Sequence, residues 1–266
     1  MKAIAQEIQT KILKEEYIPD HVFLYVVRGA IQFFDGNNRH TFQSGECGIA
    51  RKNRLAKFIV TDSEEDFEPV LFCFDEAFLQ QFQQKHAIPS AAILHSEATF
   101  IKIPKTELLD DFIRSLQPYH KGIMQLDEAF EDLKYEELLT ILLRLQPELA
   151  GILFNYNPPA KINIEAFMNR NYTFRVSVER FAHLTGRSLS AFKRDFKMIF
   201  NDTPGHWLVK KRLQEAYILI DVNNKKPSEI YLDLGFESLS HFSYAFKKQF
   251  GQTPTALANR KRKTGN

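Results

Sequence analysis

Hydrophobic and polar positions change rhythm twice along this chain. Over roughly the first hundred residues, apolar side chains come in short runs broken by turn formers, which is the pattern of strands. Val22-Phe23-Leu24-Tyr25-Val26-Val27 is β-branched and aromatic, Arg28-Gly29 interrupts it, and Ala30-Ile31-Gln32-Phe33-Phe34 resumes it. Asp35-Gly36-Asn37-Asn38 predicts a hairpin turn, because Gly and Asn accept positive φ. Arg39-His40-Thr41-Phe42-Gln43 alternates as the returning strand, and Ser44-Gly45-Glu46 turns again. Residues 57–60, 70–74 and 100–103 are further strands. Short strands with frequent turns predict a small antiparallel barrel or sandwich.

The period then lengthens to that of a helix. Residues 106–116 align Leu108, Leu109, Phe112, Ile113 and Leu116, and residues 126–145 align Phe130, Leu133, Leu138, Leu142 and Leu145. These two stripes suit packing on their own sheet or on a second subunit. Asn155-Tyr156-Asn157-Pro158-Pro159-Ala160 reads as a linker. Beyond it the chain reads as helices punctuated at Gly186, Pro204, Pro227, Gly235, Gly251 and Pro254. The expected organisation is a regulatory or dimerisation domain over 1–154, a linker over 155–161 and an all-α domain over 162–266.

The all-α region contains a self-match at an offset of 50 residues. Ser188-Leu189-Ser190-Ala191-Phe192-Lys193-Arg194-Asp195-Phe196-Lys197-Met198-Ile199-Phe200-Asn201-Asp202-Thr203-Pro204 aligns without a gap on Ser238-Leu239-Ser240-His241-Phe242-Ser243-Tyr244-Ala245-Phe246-Lys247-Lys248-Gln249-Phe250-Gly251-Gln252-Thr253-Pro254, with 9 of 17 positions identical. Two copies of one supersecondary unit are the reading. In the first copy Phe192, Phe196, Ile199 and Phe200 form the stripe to be buried; in the second it is Phe242, Phe246 and Phe250. Ser190, Lys193, Arg194 and Lys197 lie opposite the first stripe, and Ser240, Ser243, Tyr244, Lys247 and Lys248 opposite the second. Small polar, aromatic and cationic groups on one free face suit contacts in a nucleic-acid groove.

Each such helix follows a shorter one and a glycine-containing turn: residues 177–184 then Thr185-Gly186-Arg187-Ser188, and residues 227–234 then Gly235-Phe236-Glu237-Ser238. That is a helix-turn-helix, twice. Thr203-Pro204 and Thr253-Pro254 each cap and start the next helix. A helix over 204–221, with Val209, Leu213, Ala216, Tyr217 and Ile220 facing inward, joins the copies. At ~1.5 Å per residue it spans ~27 Å, short of the ~34 Å between successive major-groove faces of B-DNA.

Charge sharpens this picture. The chain has 266 residues and a net charge of only +2, but residues 1–160 hold 24 acidic against 16 basic groups and residues 161–266 hold 9 against 19, giving −8 and +10. A basic module for an anionic partner is thus joined to an acidic module with another task. Other chemistry is thin. There is no apolar run long enough to cross a membrane and no signal-peptide core in the polar N-terminus, so a cytoplasmic protein is expected. Cys47 and Cys73 form no Cys-x-x-Cys pair and read as buried small hydrophobes. His21, His40 and Glu46 are the barrel's candidate metal ligands, but no His-x-His stands before the Glu, and no metal or cofactor is expected. No phosphate loop or Gly-x-Ser-x-Gly elbow occurs, and no catalytic residue is assigned. Arg260-Lys261-Arg262-Lys263 reads as a frayed basic tail adding nonspecific phosphate attraction.

Residues 163–260 resemble the DNA-binding domain of the AraC/XylS family of transcription regulators. The resemblance rests on Phe181-Ala182, Leu184 to Gly186, Phe192-Lys193-Arg194, Phe196-Lys197, Thr203-Pro204, Arg212-Leu213-x-x-Ala216, Ile230-x-x-x-Leu234-Gly235-Phe236, Ser240-His241-Phe242, Phe246-Lys247-Lys248-x-Phe250-Gly251 and Thr253-Pro254. It implies that Ser190, Lys193 and Arg194 face bases or phosphates and Lys197 a phosphate. Leu239, Ser240, Ser243 and Tyr244 take the equivalent places in the second unit, with Lys247 on a phosphate. Two positions depart from the family pattern. Tyr244 stands where many relatives keep Arg, and Leu257-Ala258 where a Tyr-Arg pair is common.

The N-terminal half is similar to the cupin-like barrels of ExsA-type regulators, through Val26-Val27-Arg28-Gly29, the hairpin and Ser44-Gly45-Glu46. The expectation is an α+β chain: a cupin-like β-barrel with a helical appendage, then an all-α domain with two helix-turn-helix units joined by a long helix. The resemblance implies an activator with double-stranded DNA and RNA polymerase as partners, and a homodimer through the N-terminal domain. Control by a small-molecule effector in the barrel and control by a docked protein, of the anti-activator type, both stay open. A metal cupin enzyme fused to a DNA anchor is the third alternative.

Overall fold

The computed structural model describes residues 16–60, 67–89, 98–121, 123–124 and 128–264. The N-terminal stretch read above therefore lies outside the described residues up to residue 15, as do the first two residues of the helix expected over 126–145. The chain divides into two compact units, Met1–Pro158 and Pro159–Asn266.

The first unit runs β1 (Tyr17–Ile18), β2 (His21–Arg28), β3 (Ala30–Phe34), β4 (Arg39–Gln43), β5 (Cys47–Ala50), β6 (Arg54–Leu55), β7 (Lys57–Val60), β8 (Glu68–Phe74), α1 (Glu76–Lys85), β9 (Phe100–Ile103), α2 (Glu107–Leu116), β10 (His120–Lys121), β11 (Ile123–Met124), α3 (Glu128–Leu145) and α4 (Ala150–Leu153). An antiparallel sheet in the order β8-β2-β5-β9 faces a smaller one in the order β4-β3-β7. The β3–β4 hairpin forms where Gly36 takes φ 96° and the Asp35 carboxylate accepts from the backbone of Asn37 and Asn38 at 3.0 and 2.8 Å.

β2 explains its own composition. Val22, Leu24 and Val26 point into a core shared with Ile31, Phe33, Phe42 and Phe100, while Phe23 and Tyr25 point into another with Ile49, Phe72, Leu79, Phe112, Leu138 and Leu142. Where β2 is covered on both faces, over residues 22–26, every position is apolar; its end at Val27 and Arg28 is exposed. Between the sheets the Phe33 ring lies 5.4, 4.8 and 4.5 Å from those of Phe42, Phe58 and Phe100. These rings leave a wholly apolar cavity of about 30 Å³. The predicted stripe of α3 divides: Leu138 and Leu142 are fully buried, whereas Phe130 and Leu133 are 42% and 60% exposed.

The second unit contains α5 (Ile164–Asn171), α6 (Val178–Leu184), α7 (Leu189–Phe200), α8 (Pro204–Asp221), α9 (Pro227–Ile230), α10 (Leu239–Phe250) and α11 (Pro254–Thr264). Its helices start where hydroxyl or amide side chains satisfy free N–H groups: Asn163, Ser177, Ser188, Thr203, Ser238 and Thr253 each accept from the backbone three residues on. Residues 261–264, expected to fray, continue α11 as helix through Thr264.

Two expectations need correction. The helix expected over 227–234 ends at Ile230. From there the Gly235 N–H bonds to Leu232 and the Phe236 N–H to Tyr231, at 2.9 Å each, a Schellman-type close with Gly235 at φ 83°. Residues 231–235 are turn, with the Leu234 N–H still bonded to Ile230 at 3.0 Å, and Phe236 beyond them is buried against Phe242. Ile199, expected in the buried stripe, is 45% exposed, so Phe192 and Phe196 carry that face with Phe200 half-buried.

Helix α8 holds the two copies together. Trp207, near its start, packs on Phe196 and Phe200 at 5.6 and 4.6 Å; Tyr217, further along, packs on Phe246 and Phe250 at 6.2 and 5.0 Å. Midway between them, Arg212 donates from Nε to the Tyr172 carbonyl at 2.7 Å, and from Nη1 and Nη2 to those of Gly235 and Phe174 at 2.8 Å each. A Cβ on Gly235 would meet the Thr173 oxygen at 2.7 Å and the Arg212 guanidinium carbon at 2.8 Å, so the turn closes directly on this clamp.

Arg212→Lys keeps the charge but not the planar fork, and an ammonium does not reach three divergent carbonyls. The second unit is expected to lose about 2 kcal/mol of stability, read from its urea midpoint. His21 supplies a second expectation. Its imidazole is 1% exposed; burial first, then the charges of Lys52, Arg51 and Arg54, push its pKa down to about 3. The unfolded chain takes up this proton at ~6.5. The stability it confers is therefore complete above that pH and lost as pH falls toward about 3. The first unit should be weaker by about 2 kcal/mol at pH 5 than at pH 7, and His21→Gln should flatten that dependence in denaturant titrations.

Candidate nucleic-acid interface

The second unit builds the same surface twice. In α7 the Ser188 hydroxyl caps the first turn and Phe192 and Phe196 are fully buried, which turns Ser190, Lys193, Arg194 and Lys197 outward. Spacings of three and four residues put these four groups on one face. In α10 the Ser238 cap and buried Phe242 and Phe246 do the same for Ser240, Ser243, Tyr244 and Lys247. Ser243 is half-buried, and Leu239 sits at the helix start, 39% exposed. All nine side chains assigned from the sequence thus fall on two equivalent helix faces, with none in the core.

The copies differ in their turns. Gly186, at φ 68°, donates to His183 at 2.9 Å, and the next N–H, of Arg187, reaches back to Ala182 at 3.0 Å. Gly235 and Phe236 repeat that closure, but two residues separate Gly235 from the Ser238 cap where one separates Gly186 from Ser188. The first turn is also held from outside. A Cβ on Gly186 would lie 2.6 Å from the Ala160 carbonyl, and the Ile162 N–H bonds to Thr185 at 3.5 Å. The C-terminal part of the predicted linker is therefore seated on the first helix-turn-helix.

Electrostatics differ too. Tyr244 is 71% exposed and uncharged where Arg194 stands in the first copy. The Arg194 guanidinium lies against its neighbour Asp195, with Nε and Nη2 at 3.2 and 3.1 Å from one carboxylate oxygen. Arg187 bonds the other oxygen at 3.2 Å. The hydrogen bond from Arg187, and then that from Arg194, holds the Asp195 carboxyl below its usual range. Sequence reading passed over Arg187 and Asp195. The signal was present as opposite charges either side of the turn, at positions occupied by Glu237 and Ala245 in the second copy. It also passed over a cleft of about 350 Å³ beside α10, lined in part by Lys226, Ser228, Ser243, Thr255 and Asn259.

Among its described residues, the first unit offers no comparable site. His40 pairs with Asp35 at 2.9 Å, Glu46 with Lys102 at 3.0 Å, and the His21 ring accepts from the Lys52 backbone at 3.3 Å. The candidate metal ligands are thus engaged separately, and among the described residues no cluster of three His, Cys, Asp or Glu could hold an ion. Burial pushes both thiols, Cys47 and Cys73, up to about 12. No helix among the described residues is long and apolar enough to cross a membrane.

A sheet-rich unit joined to a duplicated helix-turn-helix with two polar, cationic faces defines a DNA-binding regulator. Comparison with known proteins gives the family. Residues 21–152 match the ExsA N-terminal regulatory domain and residues 181–260 a helix-turn-helix domain. The virulence regulon transcriptional activator VirF of Yersinia enterocolitica is 23% identical over 266 residues, covering 96% of this chain and 95% of VirF. The HTH-type transcriptional regulator ExsA of Pseudomonas aeruginosa is 23% identical over 236 residues, covering 86% and 83% of the two chains. A single-substitution variant of ToxT from Vibrio cholerae, in its apo form, is 14% identical over 92% of this chain and 90% of that one, with a TM-score of 0.42; so distant a likeness assigns no residue a role. The chain is an AraC/XylS-type transcription regulator with an ExsA-type N-terminal regulatory domain.

Proposed function

We propose that this regulator is a cytoplasmic activator that grips its operator with α7 and α10 in successive major grooves on one side of the duplex and acts by binding, not by catalysis. The observation that carries this reading is the pair of equivalent outward faces, Ser190-Lys193-Arg194-Lys197 and Ser240-Ser243-Tyr244-Lys247, at the two ends of one 18-residue helix. Arg194, Lys193 and Ser190 contact base edges or phosphates, and Lys197 and Lys247 contact phosphates. Leu239, Ser240, Ser243 and Tyr244 line the second groove, where an apolar residue and a ring favour thymine methyl groups and stacking over guanine recognition. The ~27 Å rod is shorter than the ~34 Å groove repeat, so the DNA bends toward the protein. RNA polymerase is the partner that turns binding into activation.

The acidic first unit controls this activity. A cavity of about 30 Å³ is well below the ~150 Å³ void that admits a benzene-sized guest. Leu108, Phe130 and Leu133 meanwhile stand exposed on its helices. Both features favour control by a docked protein or a second copy of the chain over a small effector in the barrel.

The test uses duplexes selected from a random-sequence library by the full chain, with an unselected duplex as reference. Arg194→Ala is expected to weaken binding to the selected duplex by about ten- to a hundredfold, in line with one base contact of ~1–3 kcal/mol, and to spare the reference. Equal losses on both duplexes would assign Arg194 to phosphate alone. Lys247→Ala is expected to weaken both and to lower the salt slope by about one unit. Circular-permutation bending assays that find a straight selected duplex would rule out insertion at both grooves.

A further inference from the structure

Arg194 does not hang free from the first reading helix. Its side edge, Nε and Nη2, is taken by one oxygen of Asp195 at 3.2 and 3.1 Å, although the side chain is 72% exposed. The other Asp195 oxygen is held by Nε of Arg187 at 3.2 Å. Arg187 is fixed in turn. Its side chain is 15% exposed, and Nη1 donates to the carbonyls of Ile162 and Thr185 at 2.9 and 2.6 Å. A row of contacts thus runs from the backbone of residues 160–162, seated on Gly186, through Arg187 and Asp195 to the exposed guanidinium of the reading face.

Magnitudes say what this row is for. An exposed ion pair such as Arg194–Asp195 adds only ~0–1 kcal/mol to stability. Its cost to DNA affinity is plain, since a carboxylate on a reading helix repels phosphate. Orientation is the effect that remains. With the side edge engaged, the end edge of Arg194, Nη1 and Nη2, is the pair of donors left to present to a base, and a guanidinium held in plane loses less entropy on making two hydrogen bonds. The acceptor pair it matches is O6 and N7 of guanine. The second copy shows the alternative. At the equivalent positions, 50 residues on, stand Glu237, Tyr244 and Ala245, which cannot build the same row.

We propose that Asp195 and Arg187 are positioning residues for DNA reading: they hold Arg194 in a guanine-reading orientation, and they tie that orientation to the segment that enters the helix-turn-helix unit. This rests on the reading of Arg194 as a base contact given above, and the experiment separates the two.

The full chain is compared as wild type, Asp195→Asn, Arg187→Gln, Arg194→Ala and the Asp195→Asn/Arg194→Ala double variant. Binding is measured on a duplex selected from a random library by the wild type and on an unselected duplex at the same salt, with thermal unfolding as a folding control. Asp195→Asn is near-isosteric and half-exposed at most, so it folds. The expected result is a fall of about tenfold in the selected-to-unselected affinity ratio for Asp195→Asn, within the range for one bidentate arginine–guanine contact. Reselection with that variant should lose the preference for guanine at a single position. Arg187→Gln should do the same, and Asp195→Asn should change nothing once Arg194 is Ala. An unaltered ratio in Asp195→Asn, or an equal loss with and without Arg194, overturns the positioning role and leaves Arg194 as reader. A ratio untouched by Arg194→Ala overturns both.

Discussion

The second unit depends on one side chain that entered the sequence reading only as part of a family pattern, with no partner assigned to it. Arg212 stands midway along α8 and donates to three backbone carbonyls, two before the first helix-turn-helix and one in the turn of the second. Each copy has its own aromatic core, with Trp207 serving one and Tyr217 the other. Such cores could rotate independently about the ends of a helix. A rigid fork between them removes that freedom, because a carbonyl left without its donor keeps its desolvation cost. The distance and angle between the two outward faces are therefore set by a hydrogen-bonded junction as well as by helix length.

The features most legible in the sequence were those whose cause is local. The stripes of α7 and α10, the capping serines and threonines, the Asp35-Gly36 hairpin and the strand β2 all follow from spacing and residue type. What escaped was decided by partners far along the chain. The stretch after Ile230 has a helical pattern but closes as consecutive turns into Gly235, whose carbonyl is held by Arg212, with Phe236 buried in the core beyond it. Ile199 sits at a stripe position, but Trp207 fills the space beside Phe196 and Phe200 and leaves it outside. Helix α1 carries only Leu79 and Phe82 as buried residues among glutamines, too short a stripe to stand out. The pairing of Arg187 with Asp195 is invisible to periodicity because it crosses a turn.

The two copies show how duplication permits divergence without loss of the fold. The stripe, the caps and the threonine-proline exits are kept, since every copy must bury the same face. The outward positions and the turn length differ: a guanidinium braced by a carboxylate in one, a bare phenol ring in the other, and one added residue before the second cap. Charge is concentrated accordingly. The +10 of residues 161–266 suits long-range attraction to a polyanion, whereas residues 1–160 carry −8.

The packed interior of the sheet unit has a practical corollary. Among the described residues, Phe33, Phe42, Phe58 and Phe100 leave a cavity of only about 30 Å³ between the sheets, too small for a drug-sized guest. A compound aimed at this unit is therefore better shaped as a blocker of its outer surface than as a plug for that cavity.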